Sequence, residues 1–230
     1  MTGKQKRLLL FDIDGTLIHS GGAGVEALKR ALKERFGIVD DLHDIEFAGM
    51  TDSGIVLSIL KKHQIPPTSE NVAAFLDSYV YFLSKELPLR KGNLLPGVLQ
   101  LLQKLKTRKH VVLGLLTGNL SRGAELKLNH YGVWHFFEFG AFADDHHDRN
   151  ELGEFARSRA EEKHGQEFSA EEIDVIGDTP RDIACGRALG ARTIAVATGT
   201  WSLEKLAEHN PDFLIDDFSE VDRLIDTLGW

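Results

Sequence analysis

The run Leu8-Leu9-Leu10-Phe11, followed at once by Asp12, Ile13, Asp14, Gly15 and Thr16, constrains this chain more than any other stretch. Four consecutive apolar residues without polar alternation predict a strand covered on both faces, as in a parallel sheet flanked by helices. In such sheets ligands gather beyond the carboxyl ends of the strands. The paired acids therefore stand where chemistry takes place. Two carboxylates ~4 Å apart repel by ~4 kcal/mol at an effective dielectric of 20, so a cation or a proton has to relieve them.

Downstream the periodicity changes. Val25, Leu28, Leu32 and Phe36 recur at helical steps with Gly37 as a stop, and two further helices are predicted over roughly 52–63 and 69–86, separated by Pro66 and Pro67. No strand is predicted between the first one and residue 110. From Pro96 onward the chain alternates. Strands are predicted at 111–116, around Phe137 to Phe139, at 173–177, 193–197 and 212–215, each separated from the next by a helix. Strand and helix in alternation imply an α/β fold, a Rossmann-like, mostly parallel sheet with helices on both faces. Residues 20–92 then read as an inserted helical cap domain, and 1–19 with 93–230 as the catalytic core.

Composition narrows the function. The 230 residues carry 35 acidic against 27 basic side chains, a formal charge of −8, with no basic stripe of the kind that binds nucleic acid. Cys185 stands alone in the sequence, which excludes an internal disulfide and fits a reducing, cytoplasmic setting. The opening residues are too few for a secretory signal, and no apolar run is long enough to span a membrane.

Two other predicted strands also end in chemistry. The strand at 111–116 runs into Thr117, Gly118 and Asn119, whose hydroxyl and main-chain N–H groups ahead of a helix suit an anion, although the same residues also make ordinary turns and caps. The strand at 173–177 ends in Asp178, with Asp182 four residues on behind Pro180. DIDGT at 12–16, LTGN at 116–119 and GDTPRD at 177–182, in this order and at strand ends, resemble the haloacid dehalogenase superfamily of phosphohydrolases. The resemblance implies that Asp12 is a nucleophile that forms an aspartyl-phosphate, and that Asp14 protonates the leaving alcohol and then activates water. It implies Mg²⁺ on the Asp12 and Asp178 carboxylates and the Asp14 carbonyl, with Asp182 in support, and Thr117, Gly118 and Asn119 on the transferring phosphoryl group. The closest subgroup is phosphoglycolate-phosphatase-like, which implies a small phosphorylated metabolite as substrate. A phosphomutase of the β-phosphoglucomutase type would share Asp12 and Asp14, and a non-catalytic phosphoacceptor module would share the acid cluster. The Asp14 position favours phosphoester cleavage over dehalogenation.

One part departs from the family pattern, which places a lysine near the helix after the third core strand. Here that region reads DDHHDRNELGEF, and Arg149 is assigned the role because its guanidinium can bridge a carboxylate and phosphate oxygens. Lys127 is the competitor, read from its mid-helix place as a stem covering apolar surface. The neighbouring acids and histidines of 144–148 read as a wet loop, not a metal site. In the cap, GMTDSG at 49–54 resembles a substrate-facing loop, so Thr51 and Asp52 are candidates for leaving-group recognition, with an N-cap at Asp52 as the competing role. Gly21 and Gly22 read as a hinge for cap closure.

Overall fold

The computed structural model describes residues 6–230; residues 1–5, part of the opening segment considered for a signal sequence, lie outside the described residues. Six parallel strands form one sheet in the order β5-β4-β1-β6-β7-β8: β1 (Arg7–Phe11), β4 (Val111–Leu116), β5 (Gly140–Ala141), β6 (Ile173–Gly177), β7 (Arg192–Val196) and β8 (Phe213–Ile215). Helices α4 (Val98–Lys106), α5 (Ser121–His130), α6 (Leu152–His164), α7 (Pro180–Ala188), α8 (Leu203–Ala207) and α9 (Val221–Leu228) cross between strands or close the chain. The central strands are buried on both sides, as their unbroken apolar runs require. Leu9 and Phe11 join one core layer with Leu101, Leu115 and Trp230, while Leu8 and Leu10 join the opposite layer with Leu116, Ala156 and Val175.

Between β1 and β4 the chain leaves the sheet. Helices α1 (Ala23–Phe36), α2 (Asp52–Lys62) and α3 (Ser69–Glu86) pack around a separate apolar cluster that includes Leu28, Leu32, Ile59, Phe75 and Leu83. Leu120 and Ala143 also belong to that cluster, so it rests directly on the sheet's carboxyl edge.

Two predictions of strand position need correction. Short antiparallel strands β2 (Ile18–His19) and β3 (Asn93–Leu94) pair where the chain leaves for the helical insert and returns from it, although no strand was expected there. Two residues carry no readable alternation. The strand expected around Phe137 to Phe139 lies instead at Gly140–Ala141, because Trp134–Phe136 forms a 3₁₀ turn and Phe137 turns its ring into the core, edge-on to Phe11 at 6.1 Å.

The sheet is anchored at its other end by Asp174, fully buried in β6. It accepts from Arg7 at 2.8 Å, from Arg192 at 2.7 and 2.8 Å, and from the indole Nε1 of Trp230 at 2.6 Å. A carboxylate in this setting is supported by every neighbour, and its removal leaves the arginines and the indole without their shared acceptor. Asp174→Ala is expected to destabilise the fold by about 3–5 kcal/mol, read as a lower urea midpoint; a loss below about 1 kcal/mol would show that the network is not integral to the sheet.

Candidate active site

Strand register assembles the site. Phe11 lies opposite Leu115 on one side and Ile176 on the other, and Asp12 N–H donates to the Ile176 carbonyl at 2.9 Å. With strands spaced ~4.8 Å apart, the residues that follow β1, β4 and β6 are forced into one neighbourhood. Asp12, Thr117 and Asp178 thus meet at a single sheet edge although they are distant in sequence. Pro180 starts α7 and Asp182 completes a capping box, accepting from Thr179 N–H at 3.0 Å and Thr179 Oγ1 at 2.7 Å, which turns its carboxylate back toward the strand ends.

Carboxylate oxygens of Asp12, Asp178 and Asp182 lie within 4.8 Å of one another, all buried, and form the one such acidic cluster among the described residues. At that separation each pair repels by about 3 kcal/mol at an effective dielectric of 20. Burial, with Asp182 and Asp14 adding to it against the opposing pull of Arg149, pushes the Asp12 carboxyl up to about 6. Burial followed by the charges of Asp182 and Asp12 raises Asp178 well above the usual carboxylate range. Space is kept open beside Asp178 by two glycines: a Cβ on Gly15 would stand 2.3 Å from Asp178 Oδ2, and one on Gly199 1.8 Å. Gly15 also has φ +83°, a conformation glycine adopts without strain. Buried hard oxygen donors with excess negative charge, in a cradle that a side chain would fill, fit a divalent cation of the magnesium type.

Arg149 approaches from the 3₁₀ turn Arg149–Glu151 ahead of α6. Its guanidinium lies 3.1 Å from Asp12 Oδ1 and also bonds Asp182 and the Gly49 carbonyl, the last at 3.1 Å. Burial works against its charge, but Asp182 and Asp12 outweigh that and hold it on the protonated side. Lys127 does not cover apolar surface as its mid-helix place suggested. It is buried on α5, and Nζ reaches Asp14 Oδ2 and Asn119 Oδ1, both at 2.6 Å. Burial disfavours the ammonium, yet Asp14 and Asp52 raise its pKa overall. Both candidate cations are therefore in the site on different acids: Arg149 on Asp12, Lys127 on Asp14.

The Thr117–Asn119 turn is internally braced. Thr117 is fully buried, and its Oγ1 accepts from Asn119 N–H at 3.3 Å and Asn119 Nδ2 at 2.9 Å. The Asn119 N–H, expected to face an anion, is thus turned inward. Asn119 Nδ2 also donates to Asp14 Oδ2 at 2.9 Å. Asp14 stays outside the three-acid cluster, its carboxylate held by Asn119 and Lys127.

The helical insert closes over this edge. Asp52 N–H donates to the Gly118 carbonyl at 2.7 Å, and a Cβ on Gly118 would stand 2.2 Å from the Met50 carbonyl, so only glycine admits this approach. Thr51, a candidate for substrate contact, is the α2 N-cap in place of Asp52, to which the sequence pointed: Thr51 Oγ1 accepts from Gly54 N–H at 3.1 Å and donates to the His147 carbonyl at 3.1 Å. Asp52, one residue into the helix, is buried with Oδ2 accepting from Leu120 N–H at 2.8 Å, and the Tyr79 hydroxyl faces the same carboxylate. Between insert and sheet lies a cavity of about 330 Å³ bordered by Asp12, Asp14, Asp178, Lys127, Arg149 and Asp52 among others. Sequence reasoning missed Tyr79, Phe47 and Ile55 on its wall; as apolar members of helical or loop patterns they carry no signal of their own.

Acids of the 144–148 loop are spent on local structure. Asp144 accepts from Ser121 N–H, Asp145 pairs with Arg159, and Asp148 caps the 3₁₀ turn through Asn150 N–H. Cys185 is buried, its thiol pushed up to about 12 by that burial, and its Sγ donates to the Arg149 carbonyl.

Burial raises the Asp52 carboxyl to about 6 against the opposing effect of Lys127. A carboxyl whose pKa is higher folded than unfolded contributes most below its unfolded value near 4, and that contribution is lost as pH rises through 6. Asp52→Asn abolishes this dependence. Its stability relative to the parent protein is expected to improve by about 3 kcal/mol between pH 4 and pH 7, measured by urea unfolding across that range; a constant difference would place the Asp52 carboxyl at its ordinary value.

Comparison with known proteins agrees with this architecture. Over 221 residues the chain is 28% identical to the probable phosphatase IndB of Dickeya dadantii, covering 94% of this chain and 92% of that one. It is 24% identical to a phosphoglycolate phosphatase of Vibrio cholerae, covering 95% and 96%. The crystal structure of a predicted phosphoglycolate phosphatase from Haemophilus somnus superposes with a TM-score of 0.73 at 21% identity, covering 96% of this chain and 99% of that one, which shows a shared fold. Residues 9–196, spanning the ends of β1, β4 and β6 that build the site, match the haloacid dehalogenase-like hydrolases, and the chain belongs to that family.

Proposed function

We propose that this protein is a magnesium-dependent phosphatase that hydrolyses a small phosphorylated metabolite through an aspartyl-phosphate on Asp12. The observation that carries the reading is the convergence of Asp12, Asp178 and Asp182 within 4.8 Å beside a cavity that also receives Asp14, Lys127 and Arg149. The Asp12 and Asp178 carboxylates, with the Asp14 carbonyl, would hold the cation, and Asp182 would orient Arg149 beside them. Bound there, magnesium neutralises both the acid cluster and the phosphoryl oxygens.

Asp12 is the nucleophile: one carboxylate oxygen forms a bond to phosphorus as the ester oxygen departs. Arg149, on the same carboxylate, fixes its direction of attack. Asp14 donates a proton to the departing alcohol and then takes one from the water that cleaves the aspartyl-phosphate, releasing inorganic phosphate and restoring Asp12. Lys127 and Asn119 both hold Asp14 Oδ2, which orients the carboxyl for these transfers. Gly118 N–H and Lys127 would supply the donors that face the transferring phosphoryl group, with Thr117 acting from behind by fixing Asn119, whose own N–H is turned inward. Residues 20–92 act as the cap, hinged at the β2/β3 pair and at Gly21 and Gly22, and closure excludes water that would compete with the ordered nucleophile. The lone, buried Cys185 supports a cytoplasmic, reducing setting.

Asp12→Asn should reduce magnesium-dependent release of phosphate from 4-nitrophenyl phosphate by at least about 10³-fold with the thermal transition retained; near-normal turnover would refute the nucleophile. Asp14→Asn should cost about 10²–10⁴-fold with an unactivated alkyl phosphate and far less with the activated aryl ester, whose leaving group needs no proton. Equal losses on the two would sink the acid role. Stoichiometric phosphate release in the parent protein separates hydrolysis from phosphoryl transfer between sugar positions.

A further inference from the structure

The wall that faces the leaving group is unusual for a site that handles phosphate esters. Val25 and Leu28 of α1, Phe47 and Met50 of the loop before α2, and Ile55 of α2 border the cavity on the insert side. Three polar side chains join them, Ser20, Tyr79 and Asp52; the last two face each other, and Leu120 N–H donates to the Asp52 carboxylate. Among the described residues the cavity is bordered by three side chains able to carry positive charge: Arg149, Lys127 and His19. Arg149 is committed to Asp12 and Asp182, and Lys127 to Asp14 and Asn119. His19 is exposed at the mouth.

From this lining we infer that the substrate's leaving group is an uncharged, largely apolar alcohol, not one bearing a carboxylate or a second phosphate. This rests on the reading of the site as a phosphate monoesterase. A second anionic group would be desolvated against apolar side chains and the Asp52 carboxylate, where Arg149 and Lys127 are already paired with acids and His19 stands only at the mouth, a cost that the binding of a small ligand cannot recover. An apolar chain would instead replace water along Val25, Leu28, Phe47 and Ile55. At about 330 Å³ the cavity is near the lower limit of small-molecule sites, which restricts the alcohol to a few carbon atoms once the phosphoryl group is seated.

The test is a substrate series assayed with magnesium by phosphate release: ethyl, propyl and butyl phosphate, phosphoglycolate and pyrophosphate, with 4-nitrophenyl phosphate as the activated reference. The expected result is a kcat/KM that rises roughly fourfold per added methylene and a preference for butyl phosphate over phosphoglycolate of at least about tenfold. Phosphoglycolate or pyrophosphate matching or exceeding butyl phosphate overturns the inference while leaving the phosphatase reading intact. No turnover of any ester, including the activated one, overturns both. Val25 is half-buried, and Val25→Arg places a cation in the wall; in the folded variant the phosphoglycolate-to-butyl-phosphate ratio is expected to rise about tenfold. An unchanged ratio in that variant counts against the charge argument, and the substrate series on the parent protein decides the matter without any substitution.

Discussion

Crowded carboxylates at one edge of a parallel sheet govern the rest of this molecule. Asp12, Asp178 and Asp182 are buried within 4.8 Å of one another, and a single guanidinium, Arg149, is shared by two of them. Nothing in hydrophobic packing calls for such an arrangement, which strains the fold electrostatically unless a further cation joins it. The surrounding features make sense as accommodation to that charge. Glycines at 15 and 199 leave room beside Asp178, the α7 capping box turns Asp182 inward, and β6 ends so that its next residue joins the cluster.

A second constraint links the helical insert to the sheet. Gly118 lets the Met50 carbonyl approach to a distance that any side chain would block, and Asp52 spans the gap to Leu120 N–H. The Thr117–Asn119 turn and the loop that roofs the cavity are therefore one hydrogen-bonded unit. Asp52 also lies near Lys127, so a continuous polar path runs from Tyr79 on the insert through Lys127 to Asp14 at the sheet edge.

Much of the fold could be read directly from the chain where the local pattern had one physical meaning. Apolar runs at 8–11 and 111–116, and the run at 173–177 interrupted only by Asp174, predicted strands buried on both faces, and the first and last of them ended in acids costly to place there without a function. Two-residue strands such as β2, β3 and β5 left no pattern to read, since pairing partners rather than side-chain alternation define them. Lys127 was misjudged for a related reason. Helical periodicity tells which face a residue occupies, not what packs against that face, and the neighbour here is the carboxylate of Asp14, 113 residues away in sequence. The cap of α2 shows a smaller miss: the spacing pointed to Asp52, and the contacts put the role one residue earlier, on Thr51, because Asp52 is drawn to Leu120 N–H instead.

By itself, then, the sequence determined the alternation of strand and helix, the strand-end position of the acids and the family to which the chain belongs, because each depends on short-range periodicity and on residue types that few other settings tolerate. Tertiary structure alone decided which acid receives which cation, that Asn119 turns its N–H inward, and that Val25, Leu28, Phe47, Met50 and Ile55 meet on one wall of the cavity. Those outcomes depend on strand register and on how the insert docks. Both arise from contacts between segments tens to more than a hundred residues apart, about which the local pattern is silent.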